Sequence, residues 1–103
     1  MSTKKKSATM AFLEKKGGGL TLGNFLIAIR EGEDVSQVEF ARTLGISRSH
    51  LCDIEHGRKS LSVDRAAKFA KILGYAETQF VRLALQALVQ EAGLKLDVDV
   101  RAA

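Results

Sequence analysis

Apolar residues recur at helical spacing over most of the chain. Leu22, Phe25, Leu26 and Ile29 stand three and four apart, which places them on one face of a helix. Thr21 is a good N-cap, and Gly32 with the acidic stretch EGED closes the segment, so a first helix is predicted over about 21–32. Ser36-Gln37-Val38-Glu39 is a capping box, in which Ser36 and Glu39 satisfy the first backbone donors of a second helix. Phe40, Ala41 and Leu44 form its apolar stripe, up to Gly45, the residue that enters the left-handed conformation at least cost. Ser47 caps a third helix with Leu51 and Ile54 inward, ending at Gly57. Ser62 caps a fourth, carrying Val63, Ala66, Ala67, Phe69, Ala70 and Leu73 and stopped by Gly74.

The fifth helix, about 77–92, is different in kind: Phe80, Val81, Leu83, Ala84, Leu85, Ala87, Leu88 and Val89 surround most of its circumference. Such a helix requires burial on two sides, and so short a chain has little left to cover the second. A homodimer is therefore expected, with Phe80, Leu83, Ala84 and Leu88 at its interface. After Gly93 the sequence LKLDVDV alternates Leu94, Leu96, Val98 and Val100 with Lys95, Asp97 and Asp99, the period of a half-buried strand. It reads as a strand that pairs with its own copy through Leu96 and Val98, or as a charged tail that frays. The fold class is all-α, five helices, with that short C-terminal strand as its one possible β element.

Length and composition narrow the options. The 103 residues are 46% hydrophobic and 27% charged, enough for one compact domain and its tails and unlike a disordered or collagen-like chain. No apolar run is long enough to cross a membrane, and the N-terminus lacks the apolar core of a secretory signal, so a cytoplasmic protein is expected. One cysteine excludes an internal disulfide framework, and the absence of proline permits a mostly helical chain. The net charge of +4 is concentrated: five lysines face one glutamate in residues 1–16, and residues 35–75 carry seven Lys or Arg against four acids. Two positive zones suit a polyanionic partner, or else a solvated lysine-rich tail.

Two short helices, 36–44 and 47–56, meet at a turn centred on Gly45 and Ile46, which is the helix-turn-helix arrangement. It demands a small residue where the helices cross (Ala41), a reversal (Gly45), a plug at the corner (Ile46) and anchors on the second helix (Leu51, Ile54), and each is in place. The stretch SQVEFARTLGISRSHLCDIEHGRKSLS resembles the phage-repressor-like helix-turn-helix proteins, the Cro and C1 repressors and the xenobiotic-response-element group. The likeness is dense over 36–62 and extends over about 20–92.

The resemblance implies that the third helix enters the major groove of DNA, with Arg48 and Ser49 at base edges and Asp53, one turn on, facing the groove. Gln37 matches a position that contacts phosphate and braces the recognition helix. Ser36 and Ser47 are candidate phosphate donors, with capping alone as the other reading for all three. Arg30 and Glu55 match a buried ion pair of structural importance, and Arg58 and Lys59 fall where the family runs along the phosphates, with Ser60 in place of the usual proline. The start MSTKKK resembles the basic arm of a phage repressor, which makes Lys4, Lys5 and Lys6 candidate phosphate contacts. The segment ATMAFLEKK is a short helix or a strand, and Gly17–Gly19 a flexible link that fits no phosphate-loop pattern.

His50 and His56 flank Cys52, but positions 50 and 52 point apart on a helix with no fourth ligand near, so no metal and no cofactor are expected, and Cys52 reads as core. The chain shows no nucleophile–base pairing and no paired carboxylates in a cleft, so an enzyme is not expected. The division predicted is a basic arm and glycine link over 1–19, a DNA-binding domain over 20–75 and a dimerisation segment over 76–103. The function expected is a sequence-specific regulator, a repressor binding an inverted repeat of double-stranded DNA as a homodimer. The alternative is an antitoxin-type module that neutralises a toxin partner and represses its own operon.

Overall fold

The computed structural model describes residues 20–103. Among them run five α-helices and no strand: α1 Leu22–Gly32, α2 Gln37–Leu44, α3 Arg48–Glu55, α4 Val63–Leu73 and α5 Glu77–Glu91. The all-α, five-helix fold expected from the spacing is the fold observed. Its helix starts are set by local chemistry. Thr21 Oγ1 accepts from Asn24 N at 3.0 Å, Ser36 Oγ from Glu39 N at 3.1 Å, Ser47 Oγ from His50 N at 3.0 Å and Ser62 Oγ from Arg65 N at 3.1 Å. The capping box is complete, since the Glu39 carboxylate receives Ser36 N in return. Gly45 (φ 76°) and Gly74 (φ 79°) close α2 and α4 in the left-handed conformation. No helix among the described residues is long and apolar enough to cross a membrane.

The chain divides into two compact units, one ending at Arg58 and one spanning Lys59–Ala103. In the first, α3 packs against both α1 and α2. Leu22, Phe25, Leu26, Ile29, Phe40, Ala41, Leu44, Leu51 and Ile54 are buried, the aliphatic stripes read from the sequence. The approach of α1 to α3 depends on a missing side chain. A Cβ at Gly23 would lie 2.5 Å from the Ile54 carbonyl oxygen and 2.7 Å from that of Glu55.

In the second unit α4 and α5 pack face to face, burying Leu61, Ala66, Phe69, Ala70, Phe80, Leu83 and Ala84. The Tyr75 ring lies tilted on Phe80, with centroids 5.8 Å apart. Three of the expected interface residues, Phe80, Leu83 and Ala84, are thus covered within the single chain, because α4 supplies the apolar partner that the sequence pattern could not locate. Leu88 and Leu96 are exposed and Val98 is half-buried. Val63 is also exposed, at the open first turn of α4.

Residues 94–103 form no strand, since the alternating segment has no second strand among the described residues to join. Its backbone meets a side chain instead. Gln86 Nε2 donates to Leu96 O at 2.8 Å, and Val98 N donates to Gln86 Oε1 at 2.8 Å, so one amide on α5 takes the place of a neighbouring strand.

Candidate nucleic-acid interface

The turn between α2 and α3 is built from backbone bonds. Gly45 N donates to Arg42 O at 3.1 Å and Ile46 N to Ala41 O at 3.0 Å, which reverses the chain within the left-handed glycine. Leu51 and Ile54 anchor the inner side of α3. Helical geometry then turns the opposite side outward, and Arg48 and Ser49 are exposed there, in the first turn.

Behind Arg48 runs a chain of polar contacts that ends in the interior. The Glu55 side chain is 1% exposed, and it is paired with Arg30 through Nε–Oε2 at 2.9 Å and Nη2–Oε1 at 3.3 Å, the fork geometry of a strong ion pair. Arg30 Nη1 also donates to Val35 O at 3.5 Å. Gln37 Nε2 donates to Glu55 Oε1 at 2.8 Å, and Arg48 Nη1 donates to Gln37 Oε1 at 3.0 Å. A carboxylate only accepts, so Glu55 requires the amide nitrogen of Gln37, which turns its oxygen toward Arg48. A buried charge pair on α1 and α3 therefore fixes the amide that holds the exposed guanidinium. No buried side-chain polar atom among the described residues is left without a partner.

A second group lies beyond the end of α3. Arg58 Nε donates to Asp53 Oδ1 at 2.9 Å and its Nη2 contacts Cys52 Sγ at 3.4 Å, while His56 Nδ1 lies 2.9 Å from Cys52 O. The Asp53 carboxylate, with Cys52 adding to it, raises the Arg58 guanidinium above its ordinary pKa, and that group is 57% exposed. Asp53 pairs with Arg58, which the left-handed Gly57 (φ 74°) turns back toward α3, with Arg58 N donating to Asp53 O at 2.8 Å. Cys52, expected in the core, is half-buried, beside the inward face that Leu51, Ile54 and Glu55 form.

Ser36 and Ser47 are exposed, and both hydroxyls act as caps. The Ser36 hydroxyl lies 3.4 Å from Glu39 Oε1. Lys59 is exposed in the second unit. Lys4, Lys5 and Lys6 lie outside the described residues. Among the described residues no three His, Cys, Asp or Glu side chains come together as metal ligands. Gly23 escaped the sequence reading, although a glycine inside a helical pattern signals a close approach. The reach of Gln37 to both Glu55 and Arg48 has no local signal in the spacing, and only the family likeness pointed to a brace on the recognition helix.

No curated protein and no solved structure matches the chain. A family model described as helix-turn-helix matches residues 26–80, from within α1 to the first turn of α5. That match covers more than half of the 103 residues and includes the whole α2–turn–α3 unit, so the chain belongs to the phage-repressor-like helix-turn-helix family, a class of DNA-binding transcriptional regulators rather than enzymes.

Proposed function

We propose that the protein is a repressor that binds an inverted-repeat operator as a homodimer, with α3 in the major groove and half-sites about one helical turn apart. The observation that carries this reading is the polar relay Arg30–Glu55–Gln37–Arg48, which holds an exposed guanidinium at the start of α3. With Nη1 engaged by Gln37, Arg48 keeps Nε and Nη2 to donate to the two acceptors of a guanine edge. Ser49 beside it completes the reading pair. Arg58, oriented by Asp53, and Lys59 contact phosphates, as do Gln37 and the hydroxyls of Ser36 and Ser47. Lys4, Lys5 and Lys6 add further phosphate contacts from the preceding segment. In this division residues 20–75 bind DNA and residues 76–103 hold the dimer together.

The test is fluorescence anisotropy with DNA from upstream of the protein's own gene against a scrambled duplex. At about 0.15 M salt, a specific site is expected to be preferred by roughly a thousandfold or more. Equal binding to both duplexes overturns sequence-specific repression. The exposed Leu88, Leu94 and Leu96 favour a second reading, in which this strip neutralises a toxin partner. Co-purification with the product of a neighbouring gene, in place of a second copy, would decide for it.

A further inference from the structure

The leucines left in solvent at 94 and 96 sit in a segment whose backbone is half used. Leu96 O and Val98 N both turn toward Gln86. In an extended chain the carbonyl of one residue and the N–H two residues later share an edge, and the residues between present theirs on the opposite edge. Among the described residues the backbone groups of Lys95, Asp97 and Asp99 have no hydrogen-bond partner. The segment is thus held on α5 by an amide along one edge and keeps a free outer edge of the kind that pairs with another chain.

Building on the homodimer reading, we infer that this edge pairs with the same segment of a second copy, antiparallel and centred on Leu96. The charge pattern selects the occupant and the register. The edge taken by Gln86 excludes any register that pairs odd with even positions. A ribbon centred on Asp97 sets Asp97 against the partner's Asp97, and one centred on Val98 sets Asp97 against the partner's Asp99, both like-charge pairs that destabilise a sheet. Centring on Leu96 places Lys95 opposite the partner's Asp97, twice by symmetry. Asp99 is already engaged by Arg101 at 3.5 Å, which leaves Asp97 as the carboxylate available to Lys95.

The same register covers the exposed apolar groups. Leu94 and Leu96 are 51% and 59% exposed in the single chain. In the ribbon Leu96 meets the partner's Leu96 and Leu94 meets the partner's Val98, in the non-hydrogen-bonded pairs whose side chains lie closest. Gln86 orders the segment before the second copy arrives, which lowers the entropy lost on pairing.

The test uses the full chain, with sedimentation equilibrium as the readout and circular dichroism to confirm unchanged helix content. Lys95→Asp is expected to weaken dimerisation about tenfold, and Lys95→Asp with Asp97→Lys to restore it to within about threefold. In a Cys52→Ser background, Leu96→Cys is expected to oxidise to a covalent dimer, since Cα atoms of a non-hydrogen-bonded pair are about 4.5 Å apart, within disulfide reach. A wild-type dimer that ignores Lys95→Asp, is not rescued by the exchange, or fails to cross-link at 96 overturns the ribbon and leaves the homodimer standing on another surface. A chain monomeric at all concentrations overturns both.

Discussion

Among the large apolar side chains that the described residues leave in solvent, only Val38 lies in the unit ending at Arg58, whereas Val63, Ile72, Leu88, Leu94 and Leu96 lie in the unit that follows. Charge runs the other way. The one buried charged side chain among the described residues, Glu55, belongs to the first unit. The first unit covers its apolar groups and uses a buried ion pair to fix polar groups at its surface, which matches a polar, charged ligand such as DNA. The second buries no charge and keeps apolar groups exposed, which matches a protein surface. Under the proposed function, recognition of nucleic acid and recognition of protein are separated by what each half buries.

The comparison predicts unequal responses to substitution. Arg30→Ala is expected to have the largest effect, because it strands a carboxylate that is 1% exposed; the loss is about 3 kcal/mol or more in urea unfolding. Replacing both partners with apolar residues of similar size is expected to recover much of that stability while lowering affinity for the operator. A double variant that keeps full affinity would break the link between buried charge and Arg48. Gly23→Ala is expected next, at about 1 to 3 kcal/mol, since its Cβ meets backbone carbonyls that no side-chain rotation can move. A smaller loss would mean that α1 slides away from α3 easily.

Arg48→Ala is expected to leave melting unchanged and to cost about 1 to 3 kcal/mol of discrimination at particular base pairs, read by anisotropy over an operator substitution series. Uniform weakening of all sequences would instead make Arg48 a phosphate contact. In the second unit no charge network is at stake, and Ser62→Ala is expected to remove only the cap of α4, about 1 kcal/mol in thermal unfolding, with DNA discrimination intact. Lost discrimination in that variant would show that the two units are not independent in function.

Much of this architecture is written in the chain at short range. Thr21, Ser36, Ser47 and Ser62 announced four helix starts, and Gly45 and Gly74 two stops, because a cap or a left-handed turn is decided by neighbours within four residues. The apolar stripes of α1 to α3 were legible for the same reason, and the Arg30–Glu55 pair followed from family likeness. The interface residues Phe80, Leu83 and Ala84 were misplaced because periodicity shows that a face is apolar without showing what covers it. Cys52 was placed in the core because the spacing does not show that it stands on the flank of α3, beside the exposed Arg58 guanidinium.

The sequence alone therefore determined where the helices begin and end, which faces are apolar and that α2 and α3 form a helix-turn-helix, all consequences of spacing. Only the tertiary structure decided that Gln37 spans 18 residues to Glu55 and 11 to Arg48, that Gly23 admits the last carbonyls of α3, and that Gln86 stands in for a strand beside Leu96 and Val98. These are meetings of groups far apart in the chain, and a side chain's reach across a packed interface is set by the distances between helices, which no local pattern encodes.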